Sequence, residues 1–407
     1  MDTSESVILF RTEADFQLEQ DRRSKQVRLK DIGDPIYLGK SKPLCLHVEE
    51  GFAWTGESNG TITKRSLETN EVHQVFRGHR GPVSAICVCW HTMRPALAKK
   101  RLIISGSWDK HIKIFDDESG QLLSDTDAHT DFIKSLTHLD LENIIVSGGS
   151  DKEIRFWLLP PQFTTGSQKL ECEGFVREHT RPVVRLTSLR DFHTGKPILY
   201  SGDSMGTLFS WTVSVLPSGN VGRRVRATKI GQFKGHSTGI TDWCLGSGQL
   251  WTSSSDNSVL LHRTNQEHSG PLSQSRIQHS HPVKALLALP VTELQIPYLI
   301  TACSDEKIRV WDVSAFEDKL GPADLLRTVD AHSHEISSLA LWLRKGADEI
   351  RVPWVLSASL DSTLRRWKLS DLLARDETVL PNSSTEERAP CFELTEEEER
   401  ELLDLEQ

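Results

Sequence analysis

The sequence contains no recognisable metal-binding spacing. Its seven cysteines, Cys45, Cys87, Cys89, Cys172, Cys244, Cys303 and Cys391, are odd in number and scattered. No Cys-x-x-Cys pair or Cys/His cluster has zinc spacing, and Cys87 and Cys89 stand two apart on one face of an expected strand, without partners. Reduced, mostly buried thiols are therefore expected, with no metal and no cofactor. No run of about 20 apolar residues exists, which excludes a helical membrane span. The opening residues 1–16 lack a basic region and carry too short an apolar run for a secretory signal. The expectation is an intracellular protein of cytoplasm or nucleus. Net charge is also small over most of the chain. The formal net charge is -9, yet residues 371–407 hold 13 Asp and Glu against Arg375, Arg388 and Arg400, a net of -10. A near-neutral body therefore carries an acidic tail.

What is present is repetition. The stretch from Ala128 to Trp157 holds a small residue and His129, then short expected strands over 133–136, 144–147 and 153–157, with a tight turn ending on Asp151. Three such strands cannot bury their apolar side chains alone and need neighbours. Aligned on the turn, seven segments read alike: 55–65, 105–115, 147–157, 201–211, 252–262, 301–311 and 357–367. A histidine precedes most of them, at His79, His129, His179, His236, His281 and His332, at intervals of 50, 50, 57, 45 and 51 residues. At 407 residues and 37% hydrophobic, the chain then reads as one large repeat domain over 35–369. Residues 1–34 form an N-terminal arm, with Thr12 and Asp15 as a weak capping box and a charged run from Glu19 to Lys30. This arm is expected to be flexible or docked on a partner. Residues 370–407 form an acidic tail in which Thr395 and Glu398 could cap a short helix. Ser383, Ser384 and Thr385 precede Glu386 and Glu387, a context suited to acidophilic kinases.

The repeats resemble the WD40 family, with Gly-His at Gly78/His79 and Gly235/His236 and Trp-Asp at Trp311/Asp312. The resemblance covers about residues 43–369. It implies an all-β fold, a seven-bladed propeller of four-stranded sheets around a central channel. In that family a strand from one terminus closes the ring against the other; Pro35 to Leu38 is the candidate here, and the tail after Leu369 its rival. A His, a Ser or Thr, an Asp and a Trp in each unit can form one buried hydrogen-bond chain. Complete sets are expected at His129, Ser147, Asp151 and Trp157, at His281, Thr301, Asp305 and Trp311, and at His332, Ser357, Asp361 and Trp367. Units 2 and 5 carry Phe115 and His262 in place of the Trp, unit 4 has Met205 in place of the Asp, and unit 1 has Asn59 and Arg65 with no preceding Gly-His. Such trios imitate catalytic triads, but packing accounts for every copy, so no catalytic residue and no enzyme is expected.

In a propeller the second-to-third-strand turns and the links between blades share one face. Every long insertion falls on the other: 91–101, 158–169, 191–196, 216–228, 265–275 and 344–353. That decorated face collects a basic rim of Arg94, Lys99, Lys100, Arg101, Arg223, Arg224 and Arg226, joined by Arg344, Lys345 and Arg351. Clustered cations attract acidic peptides, phosphates or nucleic acid, although no aromatic residues are interleaved for base stacking. On the plain face, Trp108 stands just before Asp109, where other units carry mostly Ser, and Phe132 opens the next first strand. With Lys134, Arg181, Lys284, His334 and Leu360 around the channel mouth, they form the candidate partner site. The function read from this is a non-catalytic scaffold that binds partner proteins within a multiprotein complex. Two alternatives stand beside it. One is a ubiquitin-ligase substrate receptor, though Val313 and Ser314 after Trp311 and Asp312 break the Trp-Asp-x-Arg motif of some receptors. The other is a ribonucleoprotein or phosphate binder using the rim, with nucleic acid the weaker candidate partner.

Overall fold

The computed structural model describes residues 13–93, 98–163, 168–191, 194–217, 223–264, 276–317, 321–346 and 350–374. Thr12, Arg94 and everything in the tail from residue 375, including Thr395, Glu398 and Ser383 to Thr385, lie outside them. The described strands form seven four-stranded antiparallel sheets, making a seven-bladed β-propeller. Blade 3 shows why these short segments are stable. Its strands are Ile133–Leu139, Ile144–Gly149, Ile154–Leu158 and Glu171–Val176. Alternate side chains of a strand point to opposite faces. Ile145 and Trp157 accordingly pack against Leu102, Ile104 and Ile112 of blade 2. Ile144, Val146, Ile154 and Phe156 pack against Val183, Leu186 and Leu199 of blade 4. The second strand is therefore buried along its whole length, and its sequence shows no polar alternation. The recurrent small residue after the first Ser or Thr of each motif has a steric cause. A Cβ at Gly106 would lie 2.5 Å from Ile133 of the next blade, and one at Gly148 would lie 2.7 Å from Val183.

The innermost strands touch in a closed circle, with Ile336–Lys345 of blade 7 against Pro43–Glu49 of blade 1. Each inner strand starts with a bulge, and in three blades the extra residue carries a hydroxyl that bonds the first carbonyl of the next inner strand. Ser84 donates to Ile133 O at 2.5 Å, Thr241 to Val283 O at 2.6 Å and Ser337 to Pro43 O at 2.8 Å. Blade 7 receives its fourth strand, β1 (Pro35–Tyr37), from the other end of the chain. Pro35, Ile36 and Tyr37 pair with Arg365, Leu364 and Thr363. The N-terminal segment supplies the closing strand.

The arm before β1 differs from the sequence expectation. Residues Glu13–Arg28 are a helix, α1, docked on the propeller itself. Lys25 Nζ lies 2.6 Å from Glu306 and 2.7 Å from Asp330, and Arg28 lies 3.0 Å from Asp330. Beyond the helix, Leu29 is buried, and the Arg365 guanidinium donates to the carbonyls of Leu29, at 2.7 Å, and Ile32. Gly33, at a φ of 69°, lies under the Trp367 indole, where a Cβ would come within 2.4 Å of the ring. The carboxylates that hold this arm sit on blade 6 and the Arg365 donor on blade 7, more than 270 residues away in sequence, so no local pattern reports them.

The polar chains are found within the blades. In blade 3, His129 Nδ1 is 2.9 Å from Asp151, Nε2 is 2.7 Å from Ser147 Oγ, and Trp157 Nε1 donates to the same hydroxyl at 2.8 Å. His332, Asp361, Ser357 and Trp367 repeat this at 2.9, 2.8 and 2.8 Å. Blades 2 and 5 keep the His-Asp and His-hydroxyl links, at His79 with Asp109 and Ser105 and at His236 with Asp256 and Thr252. Two assignments change. In blade 6 the histidine four residues before the first strand is His279, which is 5% exposed, while His281 is 53% exposed on its side chain and 3.6 Å from Asp305. Pro282 and two histidines two residues apart conceal this register in the sequence. Asp305 pairs instead with Arg309 at 2.5 Å, and Thr301 accepts from Trp311 Nε1 at 3.0 Å. In blade 4 the carboxylate is not lost at Met205. It has moved to Asp203, 3.1 Å from His179 Nδ1, with Ser201 and Trp211 completing the set. Blade 1 places Glu57 at the same shifted position, bonded to Thr61 at 3.0 Å.

Burial lowers His332, so its neutral Nδ1–H is the donor to Asp361. Burial opposes the charge of Asp361, but hydrogen bonds from His332, Thr363 and the Ser333 N–H outweigh it and hold the carboxyl below its usual range. Burial drives His47, His262 and His279 down to about 4. The unfolded chain binds these protons near pH 6.5, whereas the folded one binds them near 4, so stability falls as pH drops through that window. His262 occupies the Trp position of its blade, with Nε2 3.2 Å from Thr252 Oγ1. His262→Trp is expected to remove roughly 2–3 kcal/mol of the acid-induced loss, read as a flatter dependence of the urea midpoint between pH 6.5 and 4. Gly33→Ala is expected to cost about 2 kcal/mol or more through the strained φ and the Trp367 clash. An unchanged denaturation midpoint would show that the arm does not hold the closure.

Candidate functional site

Trp108 sits in the tight turn of blade 2, its N–H bonded to Pro82 O at 3.0 Å. Phe132 lies in the link from blade 2 to blade 3, its N–H held by Asp131 at 2.7 Å. The two rings stack with centroids 5.1 Å apart and planes 17° from parallel. Both remain open to solvent, at 39% and 38%. Lys134 is the extra residue of the bulge between Ile133 and Ser135. Its ammonium lies 5.0 Å from the Trp108 ring centre and 5.6 Å from that of Phe132, within the range of cation–π attraction. Burial lowers the Lys134 pKa, with Asp131 opposing. Lys134 also lines the channel of about 310 Å³, together with Arg185, Asp242 and Lys284. Arg185 pairs with Asp242 at 2.6 Å and Lys284 with Glu335 at 3.5 Å, whereas Lys134 has no ion pair among the described residues.

The seven residues expected at the channel mouth do not form one cluster. Trp108, Phe132 and Lys134 make contact. Arg181 is exposed in the next link, between blades 3 and 4. Lys284, His334 and Leu360 belong to blades 6 and 7, beside the turns that α1 occupies. There His334 Nδ1 accepts from Glu335 N at 2.7 Å, and the Leu360 N–H bonds Glu335 O at 3.0 Å. Burial lowers the His334 pKa, and Arg22 of α1 and Lys42 act in the same direction. Sequence reasoning passed over Met205, which is 52% exposed in the blade 4 turn because Asp203 carries the polar chain in its place. The signal was the break in the turn motif itself, a large apolar residue where other blades carry Asp.

On the decorated face four of the rim cations are engaged in ion pairs. Lys100 pairs with Asp116 at 2.7 Å, and Arg101 with Asp117 at 2.7 Å and Glu50 at 3.0 Å. Arg344 pairs with Glu68 at 2.8 Å and Arg351 with Glu293 at 3.4 Å. Lys99 and Arg226 are exposed. The backbones of Arg223 and Arg224 pair with Pro217 and Leu216, and nothing is described of their side chains. A hollow of about 1090 Å³ opens on this face over Val48, Leu341, Trp342 and Leu343. Of its carboxylates, Glu50, Glu68 and Glu293 are held in the ion pairs just named. Among the described residues no group of three metal-ligating side chains occurs. No helix among them is long and apolar enough to cross a membrane.

Comparison with known proteins agrees with this architecture. The family model described as "WD domain, G-beta repeat" matches residues 70–116 and 120–157. An uncharacterized WD repeat-containing protein of Schizosaccharomyces pombe is 24% identical over 384 residues, covering 91% of this chain and 90% of the relative. Protein SOF1 of Saccharomyces cerevisiae is 24% identical over 65% of this chain and 61% of its own length. Pre-mRNA-processing factor 19 of Bos taurus is 29% identical over 29% of this chain and 21% of its own. Among solved structures, the computationally designed Ika8 protein superposes with a TM-score of 0.53 at 20% identity, covering 83% of this chain and 100% of the design, a likeness of fold alone. With seven repeated blades, the matched repeats and these relatives in agreement, the chain is similar in fold and repeats to WD40-repeat proteins.

Proposed function

We propose that this protein is a non-catalytic scaffold that holds a partner protein on the plain face of its propeller, over blades 2 to 4. One observation carries the reading: two large aromatic rings, Trp108 and Phe132, are stacked on each other with a cation beside them and left open to solvent. Exposed apolar surface costs free energy in water, and Trp is the residue most enriched where partners bind. Met205 adds another exposed apolar side chain in the equivalent turn of blade 4. The ionisable groups that recur in the blades are engaged in holding strands together, which accounts for the triad-like sets without chemistry. In this reading residues 35–369 are the interaction body and residues 370–407 an acidic tail, whose first turn still packs Leu372 into the propeller core. The rim is disfavoured as a polyanion site, since Lys100, Arg101, Arg344 and Arg351 already face carboxylates.

Trp108→Ala is expected to weaken partner binding about tenfold or more, the scale of an interface anchor, while circular dichroism and the melting temperature stay unchanged. Quantitative affinity capture from cells reads the effect. A partner set identical to that of the wild type would remove this face from consideration.

A further inference from the structure

The last residue of the tight turn adopts a left-handed conformation in all seven blades: Gly60, Lys110, Lys152, Gly206, Asn257, Glu306 and Ser362, with φ between 64° and 84°. The side chains of the five that are not glycine therefore start from equivalent places around the plain face. In blade 6 the molecule shows how a segment sits there. The α1 cation Lys25 bridges Glu306, in that turn, and Asp330, at the end of the fourth strand, with Arg28 and Arg22 alongside. This contact is made by charge, since Phe16 and Val27 of the same helix are 65% and 76% exposed.

Blade 3 carries the opposite charges at the two matching places, Lys152 for Glu306 and Arg177 for Asp330. Blade 2 carries Lys110 in its turn. Arg80, Lys110, Lys134, Lys152 and Arg181 make no ion pair among the described residues, and Arg177, bonded to Glu153 at 2.5 Å, still has 65% of its side chain exposed. Of the carboxylates in the same turns and links, Asp109, Asp151 and Glu153 are hydrogen-bonded within their blades, and Asp127, Asp131 and Glu178 make no ion pair among the described residues. Lys134 stands against the Trp108–Phe132 stack, with Lys110 in the same turn as Trp108 and Lys152 in that of blade 3, while in blade 6 the matching places are acidic and hold the basic C-terminal half of α1.

Building on the plain-face reading above, we infer that the partner segment held over blades 2 and 3 is acidic, an Asp/Glu-bearing peptide whose apolar residue covers Trp108 and Phe132. Its carboxylates take the places at Lys110 and Lys152 that mirror those of Lys25 at Glu306. Charge complementarity chooses this occupant over a basic or neutral one.

The test uses the full-length protein and a fluorescein-labelled peptide of residues 13–28 with Arg22→Glu, Arg23→Glu, Lys25→Glu and Arg28→Glu, set beside the unaltered peptide. Fluorescence anisotropy is expected to show the acidic peptide binding at least tenfold tighter than the unaltered one at 50 mM salt, and weakening as salt screens the contact. Lys110→Glu with Lys152→Glu is expected to lose at least tenfold in affinity without a change in melting temperature, because Glu306 already occupies this turn position as a glutamate. Equal binding of the two peptides, or of the acidic peptide to the wild type and the double variant, overturns the inference. The two readings fail separately. Should Trp108→Ala lose its partners while the double variant keeps both partners and peptide affinity, the face stands and its acidic preference falls. Should Trp108→Ala keep every partner, both fall.

Discussion

Three residue pairs, Pro35 with Arg365, Ile36 with Leu364 and Tyr37 with Thr363, turn seven stacked sheets into a ring. Without them the third strand of blade 7 would present an open edge, a template for pairing with other chains. The surrounding contacts all serve this closure. Ile36 is buried, Arg365 ties the preceding turn down by its carbonyls, and Ser337 reaches across to Pro43 at the first inner strand. A repeat protein normally gains stability one neighbour at a time. Closure makes the first and last blades neighbours too, and so makes the ring cooperative.

Within each blade, polar chemistry is spent on uniqueness. A buried His without partners is costly, and one bonded to a carboxylate on one nitrogen and a hydroxyl on the other is satisfied. Blade 4 shows that the requirement is for a carboxylate in reach of Nδ1 and not for a particular sequence position. Asp203 does from the second strand what Asp151 does from the turn. Blade 6 shows the cost of departing from the set, since His279 Nε2 is buried with no partner while Arg309 takes the aspartate.

The two faces divide by how their charges are used. On the decorated face, long insertions bring Lys100, Arg101, Arg344 and Arg351 to carboxylates that neutralise them. On the plain face, short turns hold side chains apart at equivalent positions, so charge there follows the turn residue of each blade: Lys in blades 2 and 3, Glu in blade 6. The helix α1 is held to the acidic part by ion pairs of the kind that salt weakens.

The repeat period, three of the four strands per unit and most of the His, Ser and Trp partners were readable in the sequence, because each recurs and each follows from packing one sheet against the next. Trp108 and Phe132 were readable for the opposite reason, as departures from the recurring pattern. The docking of α1 was not, since Lys25 and its acceptor Glu306 are 281 residues apart and nothing local marks them as partners. Nor was the choice of His279 over His281, which depends on where the bulged inner strand starts. Which cations remain unpaired was likewise decided only in three dimensions. A lysine in the sequence carries the same charge everywhere, and only the fold determines whether a carboxylate lies within reach.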